Sequence, residues 1–334
     1  MYTDEDLNLG IEKKIFSADS VQEFRNMMSS SNGSPAVDEE NFRLVGGFND
    51  IFIVIACALL LFSSLWVISS VSEILGYLVF AGLSWGLAEI FVLKRKMALP
   101  AIVLLLAFVG GVFAFSQALF GGMPNVAPII SAALSTLAAY FHWRRFQVPV
   151  TIAVGTGAAL ALLAAIVMSI VPESTGMLMT TLFLCGCIAF TCAMYWDSAD
   201  TSRTTRKSDV AFWLHLLSAP LIIHPIFWNL GVLDGNESLS NMVLVVLLYL
   251  LMAVLSILID RRAFMVSSLM YVIYALTSLI DSYGGIGYSF PLTGVVMGAS
   301  LLLLSIYWQR VRALFVMRLP KSLQAYVPAI KEKG

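Results

Sequence analysis

Two histidines stand nine residues apart in DVAFWLHLLSAPLIIHPIFWN (209–229), a stretch otherwise apolar enough to cross a bilayer. An imidazole titrates near neutral pH, so it can relay a proton, ligate a metal or hydrogen-bond a solute. Nine residues of straight helix separate His215 from His224 by about 13 Å of rise and about 900° of rotation. A metal needs both ligands within about 2 Å, so one ion shared by the two is excluded while the helix stays straight. Two readings remain: neutral imidazoles serving as interhelical hydrogen-bond partners, or groups lining a water-accessible, proton-linked or solute-contacting space. Pro220 and Pro225 in the same stretch each remove a backbone hydrogen bond and mark a helix kink. The carbonyls so released, near residues 216 and 221, cannot be satisfied by lipid. Protein or trapped water must satisfy them, which places this span inside a bundle.

Other groups capable of chemistry are few. Glu89 lies one turn from the inner end of a span, where it is a proton-site candidate or simply pairs with Lys94, Arg95 or Lys96. Asn229 sits near an outer end as a further lining candidate. Asp197, Asp209, Asp260 and Asp281 all fall at span boundaries, and Asp260-Arg261-Arg262 reads as an interfacial charge cluster. The four cysteines, Cys57, Cys185, Cys187 and Cys192, lie within apolar spans and read as small packing residues. Cys185 and Cys187 point about 200° apart on a helix, which disfavours a shared metal. The chain contains no nucleophile elbow, HExxH, phosphate loop, CxxC or paired acids at ligand spacing. Neither an enzyme nor a cofactor or metal site is therefore expected.

The elements that must position these groups follow from composition. With 334 residues, 59% hydrophobic and 12% charged, the chain lies far from soluble domains, which carry about 25% charge. A net charge of −1 argues against a nucleic-acid partner. Counting stretches of about 20 apolar residues predicts an all-α polytopic membrane bundle of ten spans: 50–71, 74–93, 98–120, 124–143, 148–171, 175–196, 210–231, 240–260, 263–281 and 289–308. Lys and Arg test this count, because cytoplasmic loops hold the excess. Each basic residue of the membrane region follows an even-numbered span, at 94–96, 144–145, 203–207 and 261–262. Ten spans also put both basic termini on that side, so the expectation is a chain with both ends cytoplasmic. Six of seven tryptophans lie near span ends, as an aromatic belt requires, and Trp85 alone is mid-span. The sequon Asn236-Glu237-Ser238 reads as coincidence.

Three regions result: a helical segment and linker over 1–45, the bundle over 46–309, and a basic amphipathic tail over 310–334 suited to headgroups. The first region has no apolar stretch ahead of a small-residue cleavage site, so the first span is expected to be its own insertion signal. Ser20-Val21-Gln22-Glu23 fits a capping box, and SSSNGSPAVDEE (29–40) reads as a linker. Within the bundle, LKRKMALPAIV (93–103), WRRFQVPVTIA (143–153) and DRRAFMVSSLM (260–270) share a basic pair followed by Pro or Ser and an apolar run, a weak repeat of a helical hairpin. Small residues one turn apart, at Gly82 and Gly86, at Gly157, Ala161 and Ala165, and at Gly294 and Gly298, read as helix-packing faces. Such faces join helices within the chain or bind a protein partner or a second copy.

Residues 209–225, with IDRRAFMVSSLMYVIYAL (259–276) and FRLVGGFNDIF (42–52), resemble an uncharacterised family of bacterial polytopic inner-membrane proteins with a short cytoplasmic helical segment before the first span. The resemblance implies a bacterial plasma-membrane location and carries no activity, cofactor or site residue. Two functional expectations follow from the residues themselves. One is a permease for a weakly polar or lipid-like solute, since deep charges are too few for an ionic one. The other is a non-transporting subunit or assembly factor of a membrane complex.

Overall fold

A computed structural model describes residues 7, 10–31, 48–171, 174–201, 203, 205–231, 238–282, 287–324 and 326–328. Residues 32–40 of the linker, the sequon's Asn236 and Glu237, and the last residues of the tail lie outside these, whereas 29–31, expected in the linker, belong to a helix. The chain divides into two units, Met1–Asn41 and Phe42–Gly334. In the first unit, helix α1 spans Ala18–Ser31. Its start is set by Ser17, whose Oγ accepts from the Ser20 amide at 3.1 Å. The cap therefore falls three residues before the Ser20 box, because Ser17 can satisfy an orphan amide of the first turn from outside the helix.

The second unit is a bundle of long helices: α2 (Phe48–Ser69), α3 (Glu73–Ala88), α4 (Ala98–Phe120), α5 (Ala127–Phe146), α6 (Val150–Ile170), α7 (Thr175–Ser198), α8 (Arg206–Asn229), α9 (Leu239–Ile259), α10 (Ala263–Ser282) and α11 (Ser289–Val316). No strand occurs among the described residues. Nine of these helices, α3 being counted through Lys94, are long and apolar enough to cross a bilayer. The chain is thus a multi-pass integral membrane protein with an all-α fold. The exception is α5, as long as the others but less apolar. Its buried face is made of small and polar residues, including Ser131, Ser135 and His142, and it ends in Arg144 and Arg145. Hydropathy alone undercounts it; its packing against α4 and α6 makes it part of the bundle.

Starts are written locally. Ser72, Ser174, Thr205 and Ser238 each cap a helix by accepting a backbone amide of its first turn. The ends of the basic turns share a different device. Lys96, Gln147, Arg203 and Asp260, one in each basic loop, all adopt left-handed φ between 52° and 56°. Three of them lie in the repeated basic turns, so the sequence likeness corresponds to one backbone conformation that closes a hairpin. The last helix, α11, runs on to Val316 and takes in residues 310–316 of the segment expected as a separate tail.

Consecutive helices pack as antiparallel hairpins, except α8 and α9, with α7 and α8 the most extensive pair. Beyond these, α8 lies against α6 and α10 and is the most buried span: half of its apolar window is inside, against 11% for α2. The α7–α8 contact is set by Gly186, where an added Cβ would come within 2.9 Å of the α8 backbone at Leu221 and Ile222. That glycine permits the close approach. The glycines of the sequence stripes behave otherwise. Gly157 faces Leu217 at 3.5 Å, but among the described residues no atom of another helix lies within 4 Å of a Cβ placed at Gly82, Gly86, Gly294 or Gly298. Those four make no close helix contact among the described residues; Ala161 is exposed, and Ala165 and Gly298 are half-buried.

Candidate functional site

Helix α8 passes both prolines without interruption from Arg206 to Asn229. His215 is fully buried, and its Nε2 lies 3.3 Å from Oδ2 of Asp197 on α7. His224 is half-buried, with Nδ1 2.6 Å from the Tyr271 hydroxyl on α10. Both histidines are therefore tied to neighbouring helices, and they serve different pairs. Asn229 donates from Nδ2 to the Pro225 carbonyl at 2.9 Å, within its own helix.

Asp197 leads to the site. It is 1% exposed and sits in the last turn of α7, where a helix C-terminus disfavours negative charge. Compensation comes from elsewhere in the chain. Arg261, itself 2% exposed, donates from Nη2 to Asp197 Oδ1 at 2.8 Å and to the Ser208 carbonyl at 3.0 Å. Its Nε lies 3.4 Å from the other carboxylate oxygen. Arg203 reaches in from the loop between α7 and α8, with Nη2 3.9 Å from Asp197 and Nη1 3.0 Å from Asp260 Oδ2. Asp260 also accepts the indole Nε1–H of Trp308 on α11 at 2.7 Å and faces Arg312 Nε at 3.7 Å. Arg312, buried as well, donates to the Pro328 carbonyl.

Five segments thus converge: the end of α7, the following loop with the start of α8, the α9–α10 turn, α11, and the segment around Pro328. Three guanidinium groups face two carboxylates, with His215 at the deep edge. The surplus positive charge is met by carbonyl oxygens: Arg203 Nη2 donates to those of Ile259 and Asp260 at 3.1 Å each, at the negative end of the α9 dipole. Burial, then the charge of Arg261, draws the Arg203 guanidinium below its ordinary pKa, while Asp197 and Asp260 oppose the change. Arg203 and Asp260 are held in the left-handed conformation, tolerated by Asp and strained for a long side chain, at about 1–3 kcal/mol. The strain aims Arg203 at the two carboxylates.

A second polar group sits at the same end, between α3, α5 and α6. Glu89, opening a π-helical segment Glu89–Lys94 that continues α3, is held by Arg145 of α5 in a bidentate pair at 2.8 and 2.7 Å. The bonded partner thus comes from 56 residues away rather than from the adjoining Lys94-Arg95-Lys96. Distance along the chain does not matter once α3 and α5 both end here. One turn deeper, His142 is fully buried, with Nδ1 3.2 Å from Thr151 Oγ1 and its ring against Trp85, Phe108 and Phe146.

Asp197, Arg203, Asp260, Arg261, Trp308 and Arg312 were legible one by one only as residues of span ends. One signal marks Asp197: an acid in the last turn of a helix that ends on the basic side contradicts both the helix dipole and its neighbours. Among the described residues, no three His, Cys, Asp or Glu side chains group as a metal would require. Comparison with family models, with curated proteins and with solved structures returned no match to this chain.

Proposed function

We propose that this membrane protein is a permease for a weakly polar or lipid-like solute, with the Asp197–Arg261–Arg203–Asp260 cluster as the closure of its basic-loop end. The carrying observation is the burial of four charged groups, Asp197, Asp260, Arg261 and Arg312, with Arg203 largely enclosed beside them, drawn from separate hairpins. A buried ion cluster is a poor source of stability, because desolvation offsets most of the attraction, and its better-attested use is to specify or switch between arrangements. Ionisable groups enclosed by membrane helices mark pathways for the same reason. Here Asp197 ends α7 with Arg203 in the loop that follows, Asp260 and Arg261 share the α9–α10 turn, and Arg312 is on α11, so that separating the hairpins breaks Asp197–Arg261, Arg203–Asp260 and Asp260–Arg312 in one step. His215 lies just beneath, the first polar group a solute would meet. By the basic-loop excess this end faces the cytoplasm, with both termini, and the resemblance of residues 209–225 supports a bacterial plasma membrane.

Ser218, fully buried one turn deeper than His215, provides the test. With Cys57, Cys185, Cys187 and Cys192 replaced by Ala, Ser218→Cys is challenged with a membrane-impermeant maleimide in sealed vesicles of either orientation. A permease samples open states, so slow labelling is expected from the basic-loop side, rising severalfold when Arg203→Gln weakens the cluster. A folded protein that stays unlabelled in both backgrounds would remove the permease reading.

The second reading, a subunit or assembly factor, is favoured by Gly82, Gly86, Gly294 and Gly298, where an added Cβ would meet nothing among the described residues. It expects a partner at fixed stoichiometry when the protein is purified from native membranes, and no labelling at position 218.

A further inference from the structure

On the lipid-facing side of α10 and α11, two stripes with the same spacing run side by side. Arg262, in the turn that opens α10, stands in line with Val266 and Leu269 on α10, and Leu301, Leu304 and Trp308 lie on α11; between them is a groove of about 180 Å³. An engineered cavity of about 150 Å³ accepts a six-carbon hydrophobe, so this groove has room for a length of hydrocarbon chain. From Arg262 to Leu269, and from Leu301 to Trp308, the rise is about 10 Å. One leaflet of the hydrocarbon core is about 15 Å deep. The groove therefore runs through most of a single leaflet and stops short of the midplane.

Its polar end is charged. Arg262 is exposed at the α9–α10 turn, with its guanidinium 5.0 Å from the centre of the Trp308 ring. The positive charge at the mouth is that of Arg262, held over the Trp308 ring. An apolar slot of leaflet depth under an oriented guanidinium complements a molecule with an acyl chain below an anionic head. Free anions lack the chain, and zwitterionic lipids lack the net charge. We infer that the α10–α11 groove is a binding site for an anionic phospholipid of the basic-loop leaflet, with one acyl chain between the two stripes and the phosphate at Arg262.

The site adjoins the buried cluster through one side chain. Trp308 walls the groove, stacks with Arg262 and donates its indole N–H to Asp260 at 2.7 Å. A headgroup that fixes Arg262 and Trp308 also fixes a partner of Asp260. The inference does not depend on the permease reading, since it concerns only the groove and its mouth.

The test uses the full chain in nanodiscs of phosphatidylcholine with one part in ten phosphatidylglycerol, with retained lipid counted by native mass spectrometry. The expected result is one phosphatidylglycerol held per chain in preference to phosphatidylcholine. Arg262→Gln removes a charge-assisted contact and is expected to lower that retention roughly tenfold. Val266→Trp, at a position 63% exposed, fills the groove and is expected to do the same without disturbing the fold. Arg310→Gln, a control two residues from Trp308 and set against Tyr307, should leave retention unchanged. Equal retention of both lipids, equal loss with Arg310→Gln, or displacement by added inorganic phosphate would each overturn the inference.

Discussion

The two halves of the bundle both bring a carboxylate and a guanidinium together at the basic-loop end, and they do so in opposite environments. In the half built on α3, α5 and α6, Glu89 and Arg145 form a short bidentate pair whose side chains stay 31% and 54% exposed. In the half built on α7–α11, Asp197 and Arg261 form a similar contact at 1% and 3% exposure. The chemistry is the same and the consequence is not. An exposed pair can trade its partner for water, whereas a buried charge left alone has no substitute. Hydrogen-bond geometry therefore says little about which pair matters; enclosure by neighbouring hairpins decides it.

That contrast can be broken most directly at Asp197. Asp197→Ala takes the carboxylate partner from Arg261 and His215 and is expected to destabilise the protein by about 3–5 kcal/mol, measured by reversible unfolding in mixed micelles. A loss well under 1 kcal/mol would put the two halves on an equal footing. Trp308→Phe keeps the ring over Arg262 and removes only the donor to Asp260, for which about 1.5–3 kcal/mol is expected by the same measurement. Gly186→Ala sharpens the comparison in apolar terms: with α8 backbone atoms 2.9 Å from the new Cβ, the α7–α8 pair must part, at about 1–3 kcal/mol. Gly82→Ala, where the added carbon meets nothing, should leave the unfolding midpoint at its original value or above. In the other half, Thr151→Val takes from buried His142 the hydroxyl it bonds and should cost about 1 kcal/mol. Glu89→Gln is the smallest change, with no shift in midpoint expected; a large one would show that α3 and α5 depend on their exposed pair.

Span positions were legible because a bilayer imposes them. A hydrocarbon layer of fixed thickness demands about 20 apolar residues, and the ends of α4, α7 and α10 fall within two residues of the expected bounds. Helix α5 was placed about three residues early, since Pro128 can open a helix and the turn through Met123 and Val126 precedes it. The burial of α8 followed from two prolines and two histidines that lipid could not accommodate. Their partners did not follow, because Asp197 and Tyr271 are 18 and 47 residues away and carry no mark of the pairing.

What the sequence by itself determined is the set of interactions that a residue makes with its solvent or its own helix: span length, the alternation of basic loops, the caps at Ser72, Ser174, Thr205 and Ser238. These depend on a few consecutive residues and a uniform medium. Only the tertiary structure decided which charges at the span ends are buried. Asp197, Asp260, Arg203 and Arg261 each satisfy the rules for an interfacial residue alone, and become a desolvated cluster because separate hairpins meet over them. Enclosure is a property of several chain segments at once, and no single segment contains it.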